Sequence, residues 1–248
     1  MRRRHRHFNP AHAGADLVLD ARYITQSDNT AVSSWADRSG NAYNADQATG
    51  ANQPTFRTAQ QGGCGGVDFD GSNDFLTGTY NPTAVPRTVH AVIHGDGGAY
   101  GLPNFSGAIF QVPQRPNDSA WFARFGNNGS GVTVVAGDVS STNQTLQTAQ
   151  TNVLSALIGS WSSDSSRNVS FFRDGAGTTV NGNPPDAVDP PTTNGFRIGS
   201  ILFTNNVAEE FFNGRIFSIH VWGGEQIASP LRKRCEHASA FSYKIACN

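Results

Sequence analysis

Two groups of side chains in this 248-residue chain have the chemistry to hold a ligand. The first lies between residues 95 and 121 and comprises Asp96, Tyr100, Asn104, Phe105, Asn117, Asp118 and Trp121. A sugar is held by an aromatic ring on its C–H face and by planar amides or carboxylates on its hydroxyls. Asp96, Tyr100, Asn104, Phe105 and Trp121 therefore form a candidate carbohydrate site. Tyr100, close to Gly98 and Gly101, has the setting of an exposed ring; Trp121 opens an apolar run and suits a core equally well. The second group is a set of hard oxygen donors, Asp70, Asn73 and Asp74, of the kind that coordinates calcium. The competing role for Asp74 is to bond the amides of a turn.

Catalytic patterns are sparse. Glu209, Glu210, Glu225 and Glu236 are the only glutamates, and none stands in the spacing that flanks a glycosidic bond with two carboxylates. Asp68 and Asp70 share a strand face, but a solvated face just before a turn accounts for them. No Gly-x-Ser-x-Gly elbow is present; Asn104-Phe105-Ser106-Gly107 is not one. His90, His94 and His220 fall in strand-like runs, where a histidine is satisfied by neighbouring groups. Cys64, Cys235 and Cys247 have no zinc spacing, and their odd number fits reduced thiols in a protein made in a cytoplasm. No catalytic residue is assigned.

The formal net charge is −1, which leaves no global field for nucleic acid or membrane. The charge is local: Arg2, Arg3, Arg4 and Arg6 crowd the first residues beside Phe8. No apolar stretch follows them, so no secretory signal is expected, and no run approaches the roughly 20 apolar residues of a membrane span. Nucleic acid is not the expected partner, because Phe8 alone interleaves with the arginines. Charged residues are 15% of the chain and glycines number 27, the composition of short strands joined by polar turns. The sequons at Asn104, Asn117, Asn128, Asn143 and Asn168 read as features of an Asn/Ser/Thr-rich surface.

These groups need elements to position them. Val67 and Phe69 alternate with Asp68 and Asp70, the period of a half-buried strand, and Asp70-Gly71 ends it in a tight turn. Residues 17–19 begin a first strand, and Val32 and Trp35 a short buried segment before the turn cluster Asp37-Arg38-Ser39-Gly40. Residues 42–58 read as loop and short strand, 60–66 as a glycine-rich link, and 95–118 as a long irregular stretch. Strands are expected at 88–94, 121–125, 132–135, 153–161, 169–173, 178–180, 196–203 and 214–222. In the last, Ile216 is out of phase with Ile219 and Val221, which calls for covered faces or a bulge near Phe217-Ser218. Ser229 and Pro230 open a helix over about 230–241, with Leu231, Cys235 and Ala238 inward and Arg232, Lys233 and Arg234 solvated.

The ordered series Leu17-Val18-Leu19-Asp20-Ala21, Trp35-Ala36-Asp37-Arg38-Ser39-Gly40, Phe69-Asp70-Gly71-Ser72-Asn73-Asp74 and Gly214-Arg215-Ile216, closed by one helix, resembles a known family. It is similar to the laminin-G-like branch of the concanavalin A-like lectin and glucanase jelly rolls, in the stand-alone form of phage and bacterial proteins. The resemblance covers about residues 15–245. It implies an all-β, two-sheet antiparallel jelly-roll sandwich with one C-terminal helix, forming a single domain over 15–248 after a basic arm over 1–14. It also implies a rim calcium as cofactor, for which Asp70, Asn73 and Asp74 are the candidate ligands.

The expected function is a non-enzymatic binding or structural module on the surface of a virus particle, with a glycan-binding or adhesion role. Its partners would be capsid or fibre subunits, further copies of itself, and host-surface glycans. The alternatives are a free bacterial carbohydrate-binding module and a glycoside hydrolase or lyase with an atypical site. In the particle reading, Arg2, Arg3, Arg4, Arg6 and Phe8 are the anchor, since arginine forks pair with carboxylates or phosphates. Core motifs begin only at Leu17, so deleting residues 1–13 should leave the thermal midpoint nearly unchanged and abolish particle attachment. Attachment that survives the deletion would place the anchor on the sandwich.

Overall fold

The computed structural model describes residues 14–80, 87–95, 105–112, 121–127, 132–135, 145–148, 157–163, 169–173, 176–180, 195–202, 208–209, 211–223 and 228–244; between 112 and 194 only the backbone course is described. The chain is an all-β sandwich with a C-terminal helix. Its described strands form a nine-stranded sheet, an eight-stranded sheet and a two-stranded ladder. Every pairing in them is antiparallel. The sheets meet through one apolar core. Leu17, Leu19, Val67, Phe69, Val89, Ile93, Ile216 and Ile219 from the larger sheet pack with Trp35, Leu76, Ile109, Phe110, Phe196 and Ile198 from the smaller.

The strand Asn213–Gly223 organises the larger sheet. Arg87–Gly95 lies along one edge, and Cys64–Asp70 and then Leu17–Asp20 share the other. Its register slips between Ile216 and Ser218. Phe217 is the extra residue, so Ile216, Ile219 and Val221 all reach the core although their spacing breaks the period of two. The bulge stands in mid-sheet, and both faces are covered: Phe217 and Trp222 pack outward against the helix.

That helix, Ser229–Tyr243, starts after Ala228 as N-cap, so Ser229 is its first residue and not its cap; Pro230 stands in its first turn. It lies on the outer face of the larger sheet through two apolar patches. Ala240 and Tyr243 meet Val92 and Phe217; Cys235 and Leu231 meet Val18 and Trp222. Lys233 and Arg234 are exposed as expected, but Arg232 is buried and paired with Glu236 one turn on. The sequence pattern misplaced Arg232 because a guanidinium with a carboxylate at i+4 can enter an interface that a lone cation cannot.

Other departures follow from turn chemistry. Residues 60–66 are not a link: Thr55–Gln61 and Cys64–Asp70 form a hairpin turning at Gly62-Gly63. Gly62 has φ +63°, and a Cβ there would come within 2.8 Å of the Tyr243 backbone, so only glycine fits. The stretch 95–118 holds a strand, Phe105–Val112, and the run at 196–203 is broken into Phe196–Ile198 and Ile201–Leu202. Thr145–Thr148 is a further strand, and the expected strand at 153–161 runs Leu157–Ser163. Cys64 and Cys235 are free thiols; Cys247 lies outside the described residues.

Between the two apolar patches runs a polar seam. The His90 and His220 rings stack at 5.6 Å and 19°, and His90 Nε2 stands 2.9 Å from Ser239 Oγ. Neither nitrogen of His220 has a partner. Burial holds His220 down at about 4 and His90 well below its ordinary range, the latter helped by the neighbouring His220 and Arg232. The unfolded chain takes up these protons near pH 6.5 and the folded chain does not, so stability is full above pH 6.5 and falls as the pH drops toward 4, by roughly 1.4 kcal/mol per pH unit for each imidazole. Burial raises Asp74 to about 6, with the opposite sign, but one carboxyl opposes two imidazoles. The thermal midpoint should therefore fall between pH 7 and 4.5. His220→Phe, which keeps the ring and removes the titration, should make that fall shallower; an unaltered slope would show that His220 does not stay neutral in the fold.

Candidate functional site

The site grows out of two buried strands and the turns that leave them. Leu17–Asp20 sends Leu17 and Leu19 inward and Asp20 outward, and the chain then turns through a short 3-10 helix, Ala21–Tyr23. Asp20 caps that turn, accepting from Arg22 N at 2.9 Å. Its carboxylate also takes the Arg22 guanidinium through Nε at 3.0 Å and through a short second contact from Nη2. The Tyr243 hydroxyl donates to Asp20 Oδ1 at 3.1 Å, so the end of the helix is tied to the same group. Burial and the Asp20 charge hold the Tyr243 phenol well above its ordinary range, which keeps it a donor.

Asp37 does equivalent work on the other side. Its Oδ1 accepts from Val18 N at 2.9 Å and Ser39 N at 2.8 Å; its Oδ2 accepts from Ser39 Oγ at 2.6 Å and Tyr43 N at 3.1 Å. Asp37 also bridges Leu19 across the sheet gap, and Arg38 N donates to Val18 O at 2.8 Å. The turn Trp35-x-Asp-Arg-Ser-Gly is thereby pinned to the first strand. It places Arg38 beside Tyr23, with the guanidinium 5.0 Å from the ring centroid and Nη2 donating to Tyr23 O at 3.3 Å.

A pocket of about 190 Å³ lies between these turns, lined by Asp20, Tyr23, Ile24, Gln26, Trp35 and Arg38, among others. Tyr23 is 54% exposed at its rim, whereas Trp35 is 1% exposed at its base. Trp35 Nε1 and Gln26 Oε1 are buried and have no partner among the described residues. A donor and an acceptor left over beside one cavity are costly to bury and call for a polar ligand or water. The volume falls below the roughly 300–1,000 Å³ of pockets that enclose drug-sized ligands, so it suits a single ring.

The sequence-predicted site residues fall elsewhere. Asp96, Tyr100 and Asn104, like Arg2, Arg3, Arg4, Arg6 and Phe8, lie outside the described residues. Phe105 and Trp121 begin the paired strands Phe105–Val112 and Trp121–Asn127, and Trp121 stands opposite Val112 while Phe105 stands opposite Asn127. With about 3.3 Å per residue, that register puts the two some 20 Å apart, at opposite ends of the pair and too far for one sugar ring. Asp70, Asn73 and Asp74 do come together in one turn. Asp70 Oδ1 accepts from Ser72 N and Asn73 N at 2.8 and 3.2 Å, Asp74 Oδ2 accepts from Asp70 N at 3.0 Å, and Asn73 Nδ2 donates to Ala51 O at 2.9 Å. These side chains fasten the turn, and no group of three or more His, Cys, Asp or Glu that could hold a metal is found among the described residues.

No family model and no curated protein matches the chain. Solved structures do. The receptor-binding domain of botulinum neurotoxin D aligns with TM-score 0.63 and 13% identity over 92% of this chain and 54% of that one. The serotype D ligand-binding domain in complex with N-acetylneuraminic acid aligns with TM-score 0.58 and 15% identity, over 94% and 52%. A Trypanosoma rangeli sialidase in complex with sialic acid aligns with TM-score 0.59 and 13% identity, over 94% and 33%. The chain shares their β-sandwich fold. It spans about half of the toxin domains and a third of the sialidase.

In the sequence Asp20, Trp35 and Asp37 stand in fold motifs, and Tyr23 belongs to none of them. The available signal was an aromatic residue directly after the Leu-Asp-Ala-Arg run, with an arginine in the next turn. Asp37→Ala would leave the amides of Val18, Ser39 and Tyr43 short of an acceptor and should lower unfolding free energy by about 2–4 kcal/mol in urea titration. A loss below about 0.5 kcal/mol would show that the turn does not depend on it.

Proposed function

We propose that the protein is a non-catalytic glycan-binding module that holds one sugar ring in the Tyr23–Trp35–Arg38 pocket. The observation that carries this reading is the pair of unpartnered buried groups, Trp35 Nε1 and Gln26 Oε1, beside a half-exposed tyrosine ring. A ring edge or face for C–H groups, with one donor and one acceptor lining the same cavity, is the chemistry a saccharide asks for. Similar structures, a receptor-binding domain and sialic acid complexes, support the same class.

The non-catalytic part rests on the carboxylates. Among the described residues Asp20 is the only carboxylate lining the pocket, and its oxygens are engaged by Arg22 and Tyr243. Asp68, which shares a strand face with Asp70, stands 3.3 Å from both Arg57 and Arg215. Neither is free to act as acid or nucleophile. Attachment of the module to a virus particle through the basic arm is a further tier of this proposal, supported by arm composition and decided by the arm deletion above.

Affinity for a glycan panel tests the reading. Tyr23→Ala should weaken binding about 10- to 100-fold, the size of a lost aromatic anchor, without moving the thermal midpoint. If Tyr100→Ala has that effect and Tyr23→Ala has none, the site lies in the 95–121 stretch. A parent protein that turns over a polysaccharide would overturn the non-catalytic reading.

A further inference from the structure

We infer that the saccharide this pocket takes is an acidic one, with its carboxylate held by Arg38. The inference rests on the glycan reading above and narrows it. Among the described residues two charged ones line the pocket, Asp20 and Arg38. Asp20 is 3% exposed and its charge is matched by Arg22 at both oxygens. Arg38 is exposed and makes no ion pair among the described residues. The carboxylate next to it in sequence, Asp37, has both oxygens filled by Val18, Ser39 and Tyr43 donors, so it does not take the Arg38 fork.

Arg38 is also held in place before any ligand arrives. Its amide is bonded to Val18 O, one guanidinium nitrogen to Tyr23 O, and its plane stands over the Tyr23 ring. That single carbonyl contact leaves most of its five donors unused. A pre-positioned guanidinium with a free fork recognises a planar carboxylate through two parallel bonds. Trp35 Nε1 adds a donor to the same cavity, while Gln26 Oε1 is the unpartnered acceptor. The site is richer in donors than acceptors, which favours a ligand that brings negative oxygens. The shared chemistry is a sugar carboxylate; it is present in sialic acids and in uronic acids, and the two sources are separated by experiment.

Binding of the full chain is measured to sialic acid-terminated oligosaccharides, to glucuronic acid-containing oligosaccharides, and to the desialylated and carboxyl-reduced counterpart of each. The acidic form should bind about tenfold or more tighter than its neutral counterpart, the range of one charge-assisted pair. The arm that shows the preference identifies the source. Arg38→Gln should abolish the preference by weakening the acidic form far more than the neutral one, and Arg38→Lys should restore part of it. In a nitrogen–proton spectrum, the Trp35 indole signal should shift on adding the acidic sugar. Equal affinity for acidic and neutral forms, or a preference that survives Arg38→Gln, overturns the inference and leaves the glycan module standing. Absence of binding to every saccharide removes both.

Discussion

The buried carboxylate of Asp20 ties the first strand, the first turn and the last helix together. Placed outward by a strand whose other residues face the core, it stands under the helix at 3% exposure. A charge there survives only if it is matched and fully bonded. Arg22 supplies the match from two residues away, and Tyr243 supplies a hydroxyl from the far end of the chain. Arg22 in turn reaches Ser242 Oγ at 2.8 Å. The 3-10 turn that carries Tyr23 is therefore fixed from below by the sheet and from the side by the helix. A pocket built on it inherits that rigidity, although it is made of turns.

Asp20 and Asp37 divide the labour around Leu19. One neutralises its partner and closes on the helix; the other spends all four of its bonds on backbone amides and a hydroxyl. Both acids lining or flanking the cavity thus have their oxygens engaged, whereas Arg38 keeps unused donors. The helix contributes differently. Its patches bury Phe217, Trp222, Cys235 and Tyr243, and between them it covers imidazoles that have to stay neutral. Support for the pocket thus depends on a layer whose own stability is tied to proton concentration.

The fold was legible because its signals are local. Alternation at Val67 and Phe69, the Asp-Gly turn, and the slipped phase of Ile216 against Ile219 each follow from strand geometry. The strand at Phe105–Val112 was hidden because flanking glycines and prolines dominate its surroundings. Arg232 was misassigned because its partner Glu236 decides its burial, and helix position alone does not show which face meets a sheet. The pocket was illegible for a deeper reason. Tyr23, Trp35 and Arg38 meet through Asp37 and the Leu19 bridge, and spacing in sequence says nothing of which carboxylate oxygens are already occupied. The motifs pointed to the site's scaffold without revealing that a pocket opens between its turns.

The pairing of Leu17 with Val221 has a temporal meaning. Asn213–Gly223 is flanked on both edges by strands made far earlier, so the larger sheet keeps a gap down its middle until that segment arrives. During synthesis, Leu17–Asp20 and one edge of Arg87–Gly95 wait unpaired until residues 213–223 are made. Closing so long a loop delays folding and leaves strand edges open to neighbours. A ribosome carrying this protein holds an unfinished sheet until residue 223 has been added, and shelter over that interval bears on its yield alongside the strength of the contacts in the finished molecule.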